Sequence, residues 1–282
     1  MVEQRPLGRL LAHAVLILGI VVLALPLWVA FTASTLTLDE VLQAPMSLLP
    51  GDRLLANYGS ALAGGTSQLS GTPVWLLLLN SLVMAVGVAV GKIAISLLSA
   101  FAIVYFRFPG RRLAFWTIFL TLMLPVEVRI LPTYKVVADL GLLDSYTGLI
   151  LPLIASATAT FLFRQFFLTV PGELAEAARI DGAGPLRFFK DILLPLSRTN
   201  IAALFVILFI YGWNQYLWPL LITTRNDMGT VVVAIGRMIK ATDDAVDWPV
   251  AMATVMLAML PPVLVVVLMQ RWFVKGLIET EK

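Results

Sequence analysis

The chain has 282 residues, of which 60% are hydrophobic and only 13% charged, with a net charge of +3 and a mean hydropathy of +0.92. A soluble core of this size cannot hide so much apolar surface, so lipid must be the solvent for a large share of it. The absence of cysteine and the single histidine, His13, exclude disulfides, thiolate chemistry, cysteine-ligated zinc and a histidine metal cluster.

A helix needs about 20 mostly apolar residues to cross a hydrocarbon core about 30 Å thick. The first such stretch is residues 10–32, preceded by Arg5 and Arg9. Its uncharged centre exceeds a signal-peptide core and lacks a convincing Ala-x-Ala cleavage site, so it is expected to remain as a span. Residues 33–72 hold Pro, Gly, Ser and Asn with few charges, and read as an irregular external loop with a short helix near Leu38 to Gln43. Residues 73–106 are either one long tilted helix or two spans broken near Gly87, Gly91 and Lys92. One helix keeps Arg107, Arg111 and Arg112 on the side of Arg5 and Arg9, and the Lys/Arg bias favours it. Gly87, Gly91 and Lys92 look faintly like a phosphate loop, but Val86 stands where the spacing demands glycine and Ile93 where it demands Ser or Thr. A small-residue helix contact is expected there instead.

Residues 113–134 form a third span, irregular where Pro125, Glu127 and Arg129 fall. Residues 146–168 form a fourth, with Arg164 near its end, where a long side chain can snorkel toward water. Residues 197–224 and 248–270 complete six spans. With both termini cytoplasmic, the inner segments carry 13 Lys/Arg against 6 outside, Lys92 unassigned, and the acidic residues lean outward, 7 against 10. No internal repeat or soluble domain is visible. The expectation is an all-α, polytopic single membrane domain.

Between spans four and five, residues 170–196 read as a helix, a tight turn and a second helix. Glu173 to Ile180 has its acidic residues in the first turns, Gly182 is placed to close it in a left-handed conformation, and Gly184-Pro185 opens a short helix carrying Leu186, Phe188, Phe189 and Ile192. Small Ala177 and Ala178 permit close approach, and Glu176, Arg179 and Asp181 offer directed charge. The spacing Glu176-Ala177-Ala178, Gly182, Ile192, Leu194-Pro195 resembles the cytoplasmic "EAA" loop of permease subunits in binding-protein-dependent ABC importers of the maltose type. The bland alternative is a solvated connector. Longer blocks, LLNSLVMA at 78–85, TLMLPVEVRI at 121–130, SATATFLFRQFF at 156–167, EAARIDGA at 176–183 and YGWNQYLWPL at 211–220, resemble the sn-glycerol-3-phosphate branch of that family.

The resemblance implies a type I ABC importer permease fold in a bacterial inner membrane, working by alternating access. It implies that Glu176, Ala177, Ala178, Arg179, Asp181, Gly182, Ala183, Ile192 and Pro195 couple the bundle to an ATPase. It further implies a homologous second permease subunit, two ATP-binding subunits and a periplasmic substrate-binding protein as partners, with lipid around the bundle and no nucleic acid. The chain itself would have no catalytic residue and no cofactor, ATP and Mg being bound by the partner ATPase. The implied cargo is sn-glycerol-3-phosphate or a related glycerophosphodiester, with a neutral di- or oligosaccharide second. An ion-coupled secondary transporter would be expected to bury carboxylates in several spans, whereas Glu127 is the only intramembrane acid here. An intramembrane enzyme lacks a constellation.

Polar groups within spans leave two readings open. Arg129 and Glu127 lie either on an anion-attracting path or at the outer interface as structure; two apart, they face different sides of a helix. Tyr211, Trp213, Asn214, Gln215, Tyr216 and Trp218 read either as a pore-lining patch or as an interfacial belt, and Asn80 is a weaker path candidate. Lys92 reads as structural.

Overall fold

The computed structural model describes residues 6–64, 69–122, 126–240 and 246–278. Its helices are α1 (Pro6–Ala33), α2 (Leu38–Leu42), α3 (Leu54–Gly64), α4 (Val74–Tyr105), α5 (Arg111–Leu122), α6 (Val126–Asp139), α7 (Tyr146–Ile150), α8 (Ala157–Thr169), α9 (Gly172–Ile180), α10 (Pro185–Phe188), α11 (Leu194–Leu196), α12 (Arg198–Trp213), α13 (Leu217–Ile222), α14 (Val231–Ile239) and α15 (Trp248–Ile278). Among the described residues there is no strand. Two compact units make up the chain: Met1–Leu76 with Ala234–Met259, and Leu77–Val233 with Leu260–Lys282.

In the first unit the apolar window of α1 is exposed along its length, as a lipid-facing helix would be. Its end is tied down by polar groups. Asn57 Nδ2 donates to the carbonyl oxygens of Ser34 and Leu36, both at 2.9 Å, and the Gly51 amide donates to Thr35 Oγ1 at 2.8 Å. Residues 34–64 are therefore more ordered than their composition suggests. The short helix appears as α2, with Thr37 and Glu40 forming a reciprocal capping box, and α3 is a second helix that the sequence reading lacked.

In the second unit α4 is one continuous helix of 32 residues, about 48 Å at 1.5 Å per residue, long enough to cross and project beyond the hydrocarbon. Its small residues are close contacts. A Cβ on Gly87 would lie 2.6 Å from Ile150 Cδ1, and one on Gly91 would strike the Ile154 side chain. From the other side Gly212 of α12 approaches so closely that a Cβ there would lie 2.9 Å from Ala85 Cα. Met84, Val88, Ile130, Val137, Leu149, Trp218 and Ile222 form the buried cluster that joins α4, α6, α7 and α13.

Among the described residues three helical stretches are long and apolar enough to cross a membrane, Gly8–Ala33, Val74–Tyr105 and Trp248–Trp272, and up to five candidates exist if two bent pairs each count as one. The fourth and fifth spans are not continuous helices. The fourth is interrupted after the 3₁₀ turn Leu151–Leu153 and restarts as α8, where Ser156 Oγ accepts from the Ala159 amide, with a bend of 51°. Pro152 contributes no amide hydrogen to continue α7. In the fifth, α12 stops at Trp213 and the chain resumes as α13 at Leu217. Pro219 sits four residues beyond Gln215, and its ring excludes a helical carbonyl there. At its other end α12 bends by 72° from the segment Pro185–Leu196. The expected third span falls on α5 and α6. Pro125 between them and the side chain of Glu127 lie outside the described residues.

Candidate coupling site

Helix α9 opens after Pro171 with Glu173 in its first turn and Arg179 in its last, both favourable to the helix dipole. Gly182 ends it with φ of 74°, a left-handed conformation that glycine adopts without a Cβ penalty. The Asp181 amide donates to the Ala177 carbonyl oxygen at 3.0 Å, Gly182 to Arg179 at 3.0 Å, and Ala183 to Ala178 at 2.8 Å, so three of the last four carbonyls are satisfied within the turn. Pro185 then opens α10, which runs through a π-turn at Phe189–Leu193 into α11. Pro195 cannot donate to the Asp191 carbonyl, and the wider π-turn absorbs that loss.

The result is a knob with one seated and one open side. Ala178 and Phe188 are buried, whereas Glu176, Ala177, Arg179, Asp181 and Gly182 are exposed and Ala183 and Ile192 are half-buried. The seat is aromatic. Phe188 meets Tyr105 edge-on with ring centroids 5.2 Å apart, Phe189 meets Phe101 at 4.9 Å, and Tyr105 also faces Phe167 at 6.1 Å. On the open side two large apolar residues have no cover: Ile180 is 86% exposed and Leu186 is 76% exposed. Apolar side chains displayed on a rigid element, ringed by charge, are what a partner-binding surface requires. Arg187 and Asp191 pair at 3.4 Å across one turn, an exposed pair that adds a few tenths of a kcal/mol at most.

The interior candidates separate into joints and a break. Asn80 is fully buried: its Nδ2 donates to the carbonyl oxygens of Asp227 at 2.8 Å and Gly229 at 2.9 Å, and its Oδ1 accepts from the Tyr146 hydroxyl at 2.6 Å. Trp218 is buried and donates from Nε1 to the Gly148 carbonyl oxygen at 3.2 Å. Trp213 is buried and stacks on Phe209 at 5.8 Å. Asn214 is exposed at the end of α12, and Tyr216 precedes α13 half-buried. The polar-aromatic group thus does not line one helix; it brackets the interruption. Arg129 is half-buried on α6, and Lys92 on α4 is buried with its Nζ 3.8 Å from the Tyr211 ring centroid.

Residues 92–279 match the family model described as "Binding-protein-dependent transport system inner membrane component". The chain belongs to this family. Among its relatives, the sn-glycerol-3-phosphate transport system permease protein UgpE of Agrobacterium fabrum is 64% identical over 282 residues, and those of Brucella melitensis and Escherichia coli O1:K1 are 62% and 59% identical. Each alignment covers all of both chains. Among solved structures, a chain of a bacterial ABC transporter involved in the import of the acidic polysaccharide alginate superposes with a TM-score of 0.80, covering 97% of this chain and 99% of that one at 21% identity, so the fold is shared.

As an inner-membrane permease component, the chain is a non-catalytic subunit, and its apolar helices are those of a protein that works within the bilayer. The sequence reading named the loop residues of this permease but missed their seat: Phe101, Tyr105 and Phe167 sit on spans read only for hydropathy. The signal available was the recurrence of aromatics at the ends of α4 and α8 facing Phe188 and Phe189.

Proposed function

We propose that this permease forms one half of an ATP-driven importer for sn-glycerol-3-phosphate or related glycerophosphodiesters, cycling between outward and inward openings. Its end-to-end relatedness, at 59% to 64% identity, to permeases that carry that substrate in their names supports the cargo. A homologous second permease subunit, two ATP-binding subunits and a periplasmic binding protein complete the assembly, and ATP with Mg binds in the ATP-binding subunits. The third span is built from α5 and α6, six spans cross in all, and both termini are cytoplasmic; the Lys/Arg bias supports this orientation.

The observation that carries the reading is the exposed knob of α9 and α10. Glu176, Ala177, Ala178, Arg179, Asp181, Gly182, Ala183, Ile192 and Pro195 shape it, with Ile180 and Leu186 as its bare apolar tips. It docks on an ATP-binding subunit and passes that subunit's motion to α4 and α8. Arg129 draws the phosphate along the path, and Asn214 and Tyr216 offer hydrogen bonds at the interruption of the fifth span, while Glu127 flanks them and Asn80, Trp213 and Trp218 shape the wall. The test is Glu176→Lys in the assembled importer, with uptake of labelled sn-glycerol-3-phosphate and co-purification of the ATP-binding subunit measured separately. Loss of either supports coupling through the knob; both unchanged removes it. Competition by a phosphodiester but not by a disaccharide supports the cargo.

A further inference from the structure

We propose that the cavity between α5 and α8 holds the headgroup of an anionic phospholipid. It measures about 450 Å³ and is lined by Arg111, Arg112 and Arg164 together with Phe115, Trp116 and Phe161. No acidic side chain lines it, and among the described residues none of these arginines pairs with a carboxylate. The Arg164 guanidinium lies over the Phe115 ring, 4.7 Å from its centroid, and Arg111 Nη1 donates to the Phe106 carbonyl oxygen at 3.4 Å. Neither contact neutralises a charge.

Helix stability does not explain the arrangement. Arg111 and Arg112 open α5, whose first turn carries no acid, and the positive end of a helix dipole disfavours cations there. A phosphate in the cavity reverses that balance, because guanidinium groups bind its oxygens through paired, charge-assisted hydrogen bonds. The cavity also continues onto an apolar stripe. Leu113, Trp116 and Leu120, spaced three and four apart on one face of α5, are 70%, 54% and 63% exposed. Acyl chains attached to a bound headgroup would cover that stripe, which a free anion in solution would leave bare. Trp116 at the rim suits the interfacial layer. A zwitterionic headgroup brings its own cation toward three arginines, so an anionic one is selected.

This ligand would clasp α5 to α8, and α8 runs directly through Val170 and Pro171 into α9. The lipid thereby steadies the foot of the knob.

The test uses the assembled importer, wild type and R111Q/R112Q/R164Q, in nanodiscs of phosphatidylcholine alone or of an equimolar mixture with phosphatidylglycerol. Native mass spectrometry counts the phospholipid retained after release into detergent, and co-purified ATP-binding subunit reports folding. The variant is expected to retain at least about tenfold less phosphatidylglycerol, with wild-type retention undisturbed by added inorganic phosphate. Equal retention by the variant, equal retention of phosphatidylcholine by the wild type, or displacement by inorganic phosphate would each overturn the proposal. Should the triple variant fail to assemble, R112Q decides by the same measure: lowered retention supports the site and unchanged retention rejects it.

Discussion

The ring of Tyr105, the last residue of α4, packs edge-on against Phe188 of α10 with centroids 5.2 Å apart, and its hydroxyl donates to the Phe167 carbonyl oxygen of α8 at 3.4 Å. One side chain therefore joins two membrane helices to the knob. A lever transmits motion only if its seat is stiff, so the seat should be as sensitive as the tip. Phe188→Ala removes a buried ring and should cost about 3–5 kcal/mol at that joint. Substrate uptake should collapse in this variant. Tyr105→Phe keeps the ring and loses one long hydrogen bond, worth about 1 kcal/mol or less, so its uptake should stay near wild type. Paired uptake and ATP hydrolysis assays on the two variants check the difference.

Gly182 holds φ of 74° with no neighbouring atom within 4 Å of a would-be Cβ, so substitution there meets backbone strain and no collision. Gly182→Val should cost about 1–2 kcal/mol and tilt α9, while Gly182→Asn, which tolerates the left-handed region, should retain most transport. Uptake measured at matched membrane abundance separates them.

Asn80→Ala should be one of the most damaging substitutions away from the knob. It strips the carbonyls of Asp227 and Gly229 of their buried donor and leaves the Tyr146 hydroxyl unmatched. Unsatisfied groups of this kind cost about 1–3 kcal/mol each. Thermal unfolding in detergent should show a marked drop for Asn80→Ala, with a smaller one for Tyr146→Phe.

Asp144, outside the spans, accepts hydrogen bonds from the Thr224 amide at 2.7 Å, the Thr224 hydroxyl at 2.6 Å and the Arg225 amide at 3.0 Å. Desolvation raises its pKa, but these hydrogen bonds and the Arg225 charge outweigh it, so the carboxyl stays below the usual carboxylate range. With the folded value depressed, the stabilisation is complete above the ordinary value, about 3.9, and is lost as pH falls through the depressed one. Asp144→Asn should lower thermal stability at neutral pH and narrow its gap to wild type on acidification. Unfolding midpoints measured from pH 7 down to pH 3 check this.

The long α4 and the turn at Gly182 were legible because each rests on a local or counting rule. The Lys/Arg bias chose one helix for residues 73–106, and glycine and proline at fixed offsets marked the boundaries of α9 and α10. The interruption at Ile154 to Ser156 was missed because hydropathy records apolarity and says nothing of direction, and Pro152 was the available sign; Pro219 marks a kink in the fifth span, but not the full break from Asn214 to Tyr216. The hydrogen bonds of Asn80 were not legible, because its partners are backbone groups 147 and 149 positions away, which no local pattern announces. Helix α3 was hidden by the Asn and Ser content of its segment, yet Asn57 uses its amide to hold the end of α1.

Ile180 offers the most direct test of coupling, because it is 86% exposed at the tip of α9 and the chain contains no cysteine to compete with an introduced one. A photoactivatable cross-linker attached to Ile180→Cys in the assembled importer should form an adduct with the ATP-binding subunit, and a membrane-impermeant thiol reagent added from the periplasmic side should leave this cysteine unlabelled. Labelling from the periplasmic side, or an importer that transports normally while position 180 yields no adduct with that subunit, would contradict the account.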